Sequence, residues 1–123
     1  MFSHVMVGTN DMDRSRRFYD ALFGMGAHVD DHGRLRYARN GSVFMVSKPK
    51  NGEPASHANG GTIGFNFDSP EEIDAWHEAG IANGGTSIED PPGWRERPTG
   101  KLYLAYLRDP DGNKLCALHR QAK

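Results

Sequence analysis

The amino-acid sequence predicts an α+β fold in which one unit occurs twice: a strand, then a helix, then two or three strands. A displacement of 58 positions places Val5 on Ile63 and Phe18 on Trp76, although few residues are identical. In both halves an apolar stretch runs into a polar cap, an amphipathic segment with an aromatic residue, and glycines that discourage further helix. The repeated order predicts two equivalent structural modules.

Length and composition limit the possible functions. A chain of 123 residues can bury one modest core, so we expect a single domain over residues 1–123. The 15 basic and 16 acidic side chains nearly balance, which favours a small-molecule or protein partner over nucleic acid or an anionic membrane. The longest apolar run, Val43 to Val46, is too short to span a membrane, and we see no signal-peptide pattern. Together with the single cysteine, Cys116, this predicts a cytoplasmic protein.

The first strand and helix follow from side-chain spacing. Phe2 to Val7 alternates like a strand, so His4 and the other even-numbered residues share one face. Asn10 or Asp11 can cap the following helix. The inward stripe of that helix consists of Phe18, Leu22 and Met25.

A hairpin completes the first module. Arg34 to Arg39 and Ser42 to Lys48 are predicted strands, and Asn40-Gly41 between them accepts the positive φ of a tight turn. The first module therefore covers about residues 1–48.

A connecting loop, about residues 49–61, is predicted from its Pro, Gly, Asn and Ser content. The second module, about residues 62–120, begins with the strand Thr62 to Phe67. Ser69 to Glu72 then matches a capping box, with proline at the first helical position. This pattern predicts the start of the second helix.

The rest of the second module alternates short strands with turns. We expect a short strand from Thr86 to Ile88, a loop from Asp90 to Gly100, and strands from Lys101 to Arg108 and Lys114 to His119. Asp109 to Asn113 joins the last two strands as a turn, because Pro fixes φ and Gly allows left-handed backbone.

These segments resemble the vicinal oxygen chelate superfamily, which includes glyoxalase I, bleomycin-resistance proteins and extradiol dioxygenases. The resemblance covers essentially the whole chain and rests on order, spacing and internal duplication. The matching segments are Phe2 to Val5, Arg17 to Tyr19, Thr62 to Phe65 and Arg108 to Asn113. The resemblance implies paired βαβββ modules that form a curled, cup-shaped mixed sheet with flanking helices and the ligand inside the cup.

Metal-binding members of the resembling family carry their ligands on the first and last strands of each module. The matching positions here are His4, Met45, Thr62 and Cys116, with Met45 and Cys116 related by a displacement of 71 positions. The family commonly has glutamate where this chain has Cys116. The resemblance therefore implies that these four residues line the ligand site and that the usual carboxylate is missing.

This set is poor in metal ligands. His4 and Cys116 are good zinc ligands, but Thr62 and Met45 are not, and a catalytic metal usually takes about three protein ligands. We therefore expect no cofactor; the alternative is a divalent metal held by His4 and Cys116, joined by His57 from the connecting loop. Cys116 can also serve simply as a buried apolar side chain, and Thr62 as a strand residue without a role in binding.

Trp94, Arg95 and Arg97 precede a predicted strand and, in the resembling family, border the mouth of the cup. Either arginine can pair bidentately with a ligand carboxylate or phosphate, while Trp94 covers an apolar part of the ligand. The alternative is a solvated loop whose tryptophan packs on the body of the protein.

The resemblance implies two main functions. The first is a small-molecule-binding protein with a degenerate metal site and its ligand in the cup. The alternative is a glyoxalase I-like lyase or isomerase that acts on a thiol conjugate with a divalent metal, with His4 and Cys116 as catalytic candidates. A third hypothesis is a regulatory or assembly domain whose cup is filled by its own side chains. We expect a homodimer, because small curled sheets gain burial by pairing.

Overall fold

A computed structural model describes residues 1–122 and, within them, two helices and nine strands. The α+β class predicted from the sequence is confirmed. In chain order the elements are β1 (Val5–Gly8), α1 (Met12–Phe23), β2 (His28–Val29), β3 (Leu35–Arg39), β4 (Ser42–Ser47), β5 (Ile63–Asn66), α2 (Pro70–Ala82), β6 (Thr86–Ser87), β7 (Gly93–Arg97), β8 (Gly100–Arg108) and β9 (Lys114–Arg120).

The strands form two mixed sheets with matching topology. The first sheet has the order β1-β4-β3-β2, and the second has the order β5-β9-β8-β6 with β7 beside β6 on the same edge of β8. In each sheet the first strand of the module is parallel to the last, and the other pairs are antiparallel. The two equivalent modules predicted from the repeat are confirmed.

The strand registers reproduce both predicted displacements. Met6 pairs with Met45 in the first sheet, and Gly64 pairs with Cys116 in the second. Met6 and Gly64 are 58 positions apart, and Met45 and Cys116 are 71 positions apart. Met45 and Cys116 therefore occupy equivalent places in the two modules.

The helices begin where the local sequence predicts. Asp11 caps α1 by accepting a hydrogen bond from the Arg14 backbone N–H at 2.9 Å, and Ser69 caps α2 by accepting one from the Glu72 backbone N–H at 3.2 Å. Gly24 closes α1 in the left-handed conformation, with φ of 61°. Each cap satisfies a backbone group that the helix leaves unpaired.

The hairpin between β3 and β4 turns at Asn40 and Gly41. Both have positive φ, 52° and 82°, as a tight two-residue turn of this kind requires. The predicted loop from Asp90 to Gly100 is wrong for part of its length, since β7 lies within it and pairs antiparallel with β8. The segment Gly93–Arg97 is mostly charged and has no alternating apolar pattern, so pairing with β8 rather than local sequence forms this strand.

The core lies between the helices and one face of each sheet. Phe18 and Tyr19 of α1 and Ile73 of α2 are completely buried, and α1 packs on α2. Leu107 and Leu115 contribute the second sheet to the same continuous cluster. The face of each sheet opposite its helix is called its outer face below.

The turn after β8 fastens the second module to the first. The Asp111 side chain is only 2% exposed. It accepts hydrogen bonds from four groups of the first module: the Thr9 hydroxyl at 2.6 Å, the Asn10 backbone N–H at 2.9 Å, the Arg14 guanidinium at 2.9 Å and the Ser15 hydroxyl at 3.2 Å. The Tyr19 hydroxyl donates to Asp109 in the same turn at 2.5 Å. We call these contacts of Asp109 and Asp111 the inter-module latch.

Candidate functional site

The outer face of the first sheet carries His4 and Met45. Met45 pairs with Met6 across β4 and β1, and strand alternation places His4 on the same face. His4 and Met45 line a depression of about 440 Å³ together with Arg34 and Arg36. His4 is exposed, and its Nδ1 shares a 2.8 Å hydrogen bond with the neighbouring serine hydroxyl. The structure thus brings two of the four predicted ligand-site residues together.

The outer face of the second sheet carries Cys116. This residue is 7% exposed and pairs with Tyr106 across β9 and β8. Burial raises the pKa of the Cys116 thiol, and this outweighs the opposing effect of its hydrogen bond with Tyr106. Lys114 lies nearby, but its ammonium group pairs with Glu89, so the two charges act on the thiol in opposite directions. At neutral pH the Cys116 thiol is therefore protonated.

Thr62 and His57, the two remaining candidates, lie apart from His4, Met45 and Cys116. Thr62 is exposed just before β5 and lines neither the depression at His4 nor the two cavities described below. His57 packs on the turn after β8, where a β-carbon on Gly112 would lie 2.6 Å from its Nδ1. Thr62 was a candidate because it matches a ligand position of the resembling family, and His57 because it lies close to Thr62 in the chain.

The side chains at the predicted metal-ligand positions do not fit the divalent metal that the family resemblance implies. In the part of the chain that the structure describes, no group of three or more His, Cys, Asp or Glu side chains could hold a metal ion. Of the four matched positions, only His4 and Cys116 are good ligands, and they belong to different sheets. No chemical step is therefore assigned to a metal here.

The segment with Trp94 is a strand rather than the predicted loop. Trp94 pairs with Tyr103, and its ring packs on that of Tyr103 with centroids 5.3 Å apart. Tyr103 reaches α2, where its hydroxyl donates to Asp74 at 2.6 Å, so Trp94 faces the helix side of the sheet. Strand alternation places Arg95 and Arg97 on the other side. The three residues therefore do not face one common ligand space within this chain.

A cavity of about 400 Å³ opens between the modules. Its wall is formed by the aromatic rings of Phe23, Tyr37, Phe44 and Phe65. The Phe65 ring lies 5.3 Å from that of Phe23 and 5.6 Å from that of Phe44, in edge-to-face contacts. The exposed polar residues that line it include His4, Arg39 and Asn66. We call this space the junction cavity.

The sequence predicted that His4 lines a ligand site, but not the aromatic wall of this cavity. The four rings come from α1, β3, β4 and β5, so no local motif groups them. One local signal was the alternation of Ile63, Phe65 and Phe67 along and just after β5, which places them on one face; β4 is a continuous apolar run and carries no such signal for Phe44. Which rings leave a space between them depends on how the two modules pack.

The fold and the junction cavity define a paired-module α+β protein with an aromatic cavity between its halves. A sequence model described as the Glyoxalase/Bleomycin resistance protein/Dioxygenase superfamily matches residues 1–117. The chain therefore belongs to the glyoxalase/bleomycin resistance/dioxygenase superfamily, as the resemblance implied. None of the curated proteins matches it significantly.

Solved structures agree with this assignment. A glyoxalase/bleomycin resistance protein from Albidiferax ferrireducens T118 is 56% identical, with a TM-score of 0.93 over 98% of this chain and 99% of that one. A glyoxalase-related enzyme from Fulvimarina pelagi is 23% identical, with a TM-score of 0.77 over 98% and 88%. Lactoylglutathione lyase from Agrobacterium tumefaciens is 22% identical, with a TM-score of 0.68 over 97% and 92%. The latter two likenesses concern the fold alone.

Within residues 1–122, neither helix is long and apolar enough to cross a membrane.

Proposed function

We propose that this chain is a small-molecule-binding member of the superfamily that holds its ligand without a catalytic metal. The junction cavity carries the proposal, because about 400 Å³ is within the usual range of small-molecule sites and its wall is aromatic. Such a wall favours a flat apolar body. His4 and Arg39 at the opening supply hydrogen-bond donors for a polar group of the same ligand.

Pairing of two chains would join this cavity to the expected cup. In the described part of the chain β1 pairs only with β4 and β5 pairs only with β9, so one edge of each strand is free. We propose that β1 of one chain lies beside β5 of a second copy, which makes one curled sheet. This arrangement would bring His4 and Met45 towards the partner's Cys116. A homodimer is thus part of the proposed ligand site.

The alternative function is a glyoxalase I-like lyase that acts on a thiol conjugate. It needs either a bound divalent metal or a thiol of low pKa. The donor set falls short of a usual metal site, and burial raises the pKa of Cys116. Both observations favour binding over catalysis.

We further propose a cytoplasmic location without a nucleic-acid or membrane partner, in keeping with the balanced charge and the single thiol.

The binding proposal is tested by obstructing the rim of the cavity. Gly64 lines the cavity and pairs with Cys116, so a side chain at position 64 projects from the outer face at this rim. Gly64 lacks a positive φ, and a β-carbon added there would meet no other atom within 4 Å, so Gly64→Leu adds bulk without a local clash. Gly26→Leu is the matched control, since Gly26 is equally unobstructed and does not line the cavity. A panel of small aromatic compounds is titrated into each protein and followed by ¹H–¹⁵N NMR.

We expect compounds to shift amides of β4 and β5 in the wild-type protein and in Gly26→Leu, with binding weakened about tenfold or more in Gly64→Leu. If no compound binds, or if both variants bind alike, the junction cavity is not the ligand site.

The lyase alternative is tested by elemental analysis after dialysis against Ni, Zn, Mn, Co and Fe in turn. Absence of bound metal supports the metal-free proposal. About one metal per chain, lost in both His4→Ala and Cys116→Ala, would overturn it and direct assays to aldehydes and thiol conjugates.

A further inference from the structure

A second depression, of about 680 Å³, lies where β4 meets the connecting loop. Every charged residue that lines it is basic: Arg34, Lys48 and Lys50. Met6 and Pro54 contribute an apolar part of its wall. We call it the basic depression. It shares no lining residue with the junction cavity.

The two lysines are electrostatically uncompensated. In residues 1–122 neither Lys48 nor Lys50 forms an ion pair, whereas Lys101 and Lys114 pair with Glu96 and Glu89. The whole chain has a net charge of −1, so this local excess of positive charge is not a consequence of composition. A concave surface with one sign of charge concentrates ions of the opposite sign.

Arg34 is held in position for an additional partner. Its Nε donates to the Asp30 carboxylate at 2.7 Å. Desolvation alone would raise the pKa of Asp30, but hydrogen bonds from Arg34 and His32 outweigh it and lower that pKa, so the carboxylate stays ionised. The arginine is thereby oriented through one nitrogen, and its two terminal nitrogens are available to an anion.

The loop wall of the basic depression is preformed. The Ala55 backbone N–H donates to the Asn10 side chain at 2.7 Å, and the Asn10 amide donates back to the Ala55 carbonyl at 3.2 Å. Near the lysines, the Gly52 N–H closes a turn onto the Pro49 carbonyl at 3.2 Å. A preformed wall reduces the entropy lost when a ligand binds.

We propose that the basic depression binds the phosphate group of a small organic phosphate. A phosphate monoester carries a charge of about −1.5 to −2 at pH 7 and three acceptor oxygens, which suits two uncompensated lysines beside an oriented arginine. The organic part would lie against Met6 and Pro54. This site shares no residue with the junction cavity and does not depend on binding there, although it shares Arg34 with the depression at His4.

The test is a ¹H–¹⁵N NMR titration of the full chain with inorganic phosphate and with phenyl phosphate at constant ionic strength. We expect saturable shifts in amides of residues 47–55, with phenyl phosphate binding more tightly than inorganic phosphate. The double variant Lys48→Gln/Lys50→Gln should bind phenyl phosphate about tenfold or more weakly. The control Arg17→Gln/Lys101→Gln removes the same charge elsewhere, and should bind like the wild-type protein.

Three outcomes would overturn the proposal. The first is no saturable shift with phenyl phosphate. The second is equal weakening in both double variants, which would assign binding to net charge alone. The third is loss of phosphate binding in Gly64→Leu, which would place the anion in the junction cavity. Thermal unfolding of each variant shows whether it is folded before the titrations are compared.

Discussion

A single carboxylate, Asp111 in the turn between β8 and β9, joins the second module to the beginning of the first. Its oxygens accept from two hydroxyls, a backbone N–H and the Arg14 guanidinium, so the charge is buried with its hydrogen bonds made. Tyr19 makes a parallel contact with Asp109; burial first, and then that carboxylate, raise the pKa of Tyr19 well above its usual value. The tyrosine hydroxyl therefore remains a donor over the physiological pH range.

Replacement of Asp111 should destabilise the fold. Asp111→Asn leaves Arg14 without its counter-ion and places an amide donor among groups that already donate. We expect the free energy of unfolding to fall by about 2 kcal/mol, measured by urea denaturation. Asp31→Asn, at an exposed position of the β2–β3 turn, is the control and should change little. Equal stability of the two variants would show that the latch does not hold the modules together.

Cys116 should react slowly in the folded protein. Because burial raises its pKa, the thiolate fraction becomes appreciable only above the ordinary titration range of a cysteine. We expect alkylation by iodoacetamide at pH 7.5 to be at least about tenfold slower than in urea, and to accelerate as pH rises. Rapid labelling of native protein at neutral pH would instead indicate an activated thiol and would revive the enzyme hypothesis.

At the scale of an element, α2 shows how strongly local chemistry sets a boundary. Ser69 caps the helix, Pro70 occupies its first turn, and Glu71 and Glu72 add negative charge near its N-terminus. These features lie within four consecutive residues, so they act wherever the segment is placed in the fold.

Loss of the cap should have a small and defined effect. Ser69→Ala removes the acceptor for the Glu72 backbone N–H, and we expect a loss of about 1 kcal/mol in the free energy of unfolding. Ser69→Asp keeps an acceptor and should restore most of the stability. If both variants are equally destabilised, the hydroxyl acts through something other than capping.

At the scale of the whole molecule, each sheet has an edge strand that lacks a second neighbouring strand within residues 1–122. Each module leaves its first strand, β1 or β5, at the edge of a sheet, and exposed apolar side chains accompany β1, with Phe2 81% and Met6 50% exposed. A free strand edge is a template for pairing with another chain.

Sedimentation equilibrium should therefore give twice the 13.6 kDa mass of one chain. Met6→Asp places a charge beside the free edge of β1 and should shift the protein towards monomer. Ile81→Asp, at a comparably exposed apolar residue on α2, is the control and should leave the mass unchanged. A monomeric wild-type protein would contradict the proposed arrangement of the site.

The parts of the site that sequence reasoning located are those that follow from strand alternation. His4 was placed on one face with Met6, and the 71-position displacement made Met45 and Cys116 equivalent, as the registers confirm. It did not locate the basic depression. The predicted β3–β4 hairpin brings Arg34 near Lys48, but Lys50 and Pro54 join them only because the connecting loop folds back beside β4. It also did not predict β7, whose pairing partner rather than its own pattern makes it a strand.

The α+β class, the repeated module, the helix starts and the Asn40-Gly41 turn could all be predicted from the amino-acid sequence. Each depends on side chains within a few positions, or on a pattern that recurs at a constant displacement. The junction cavity, the basic depression and the inter-module latch, in which Thr9 and Asp111 meet from 102 positions apart, became visible only in the folded structure. Contacts over such distances depend on how the two modules pack, and that packing is a property of the whole chain rather than of any segment.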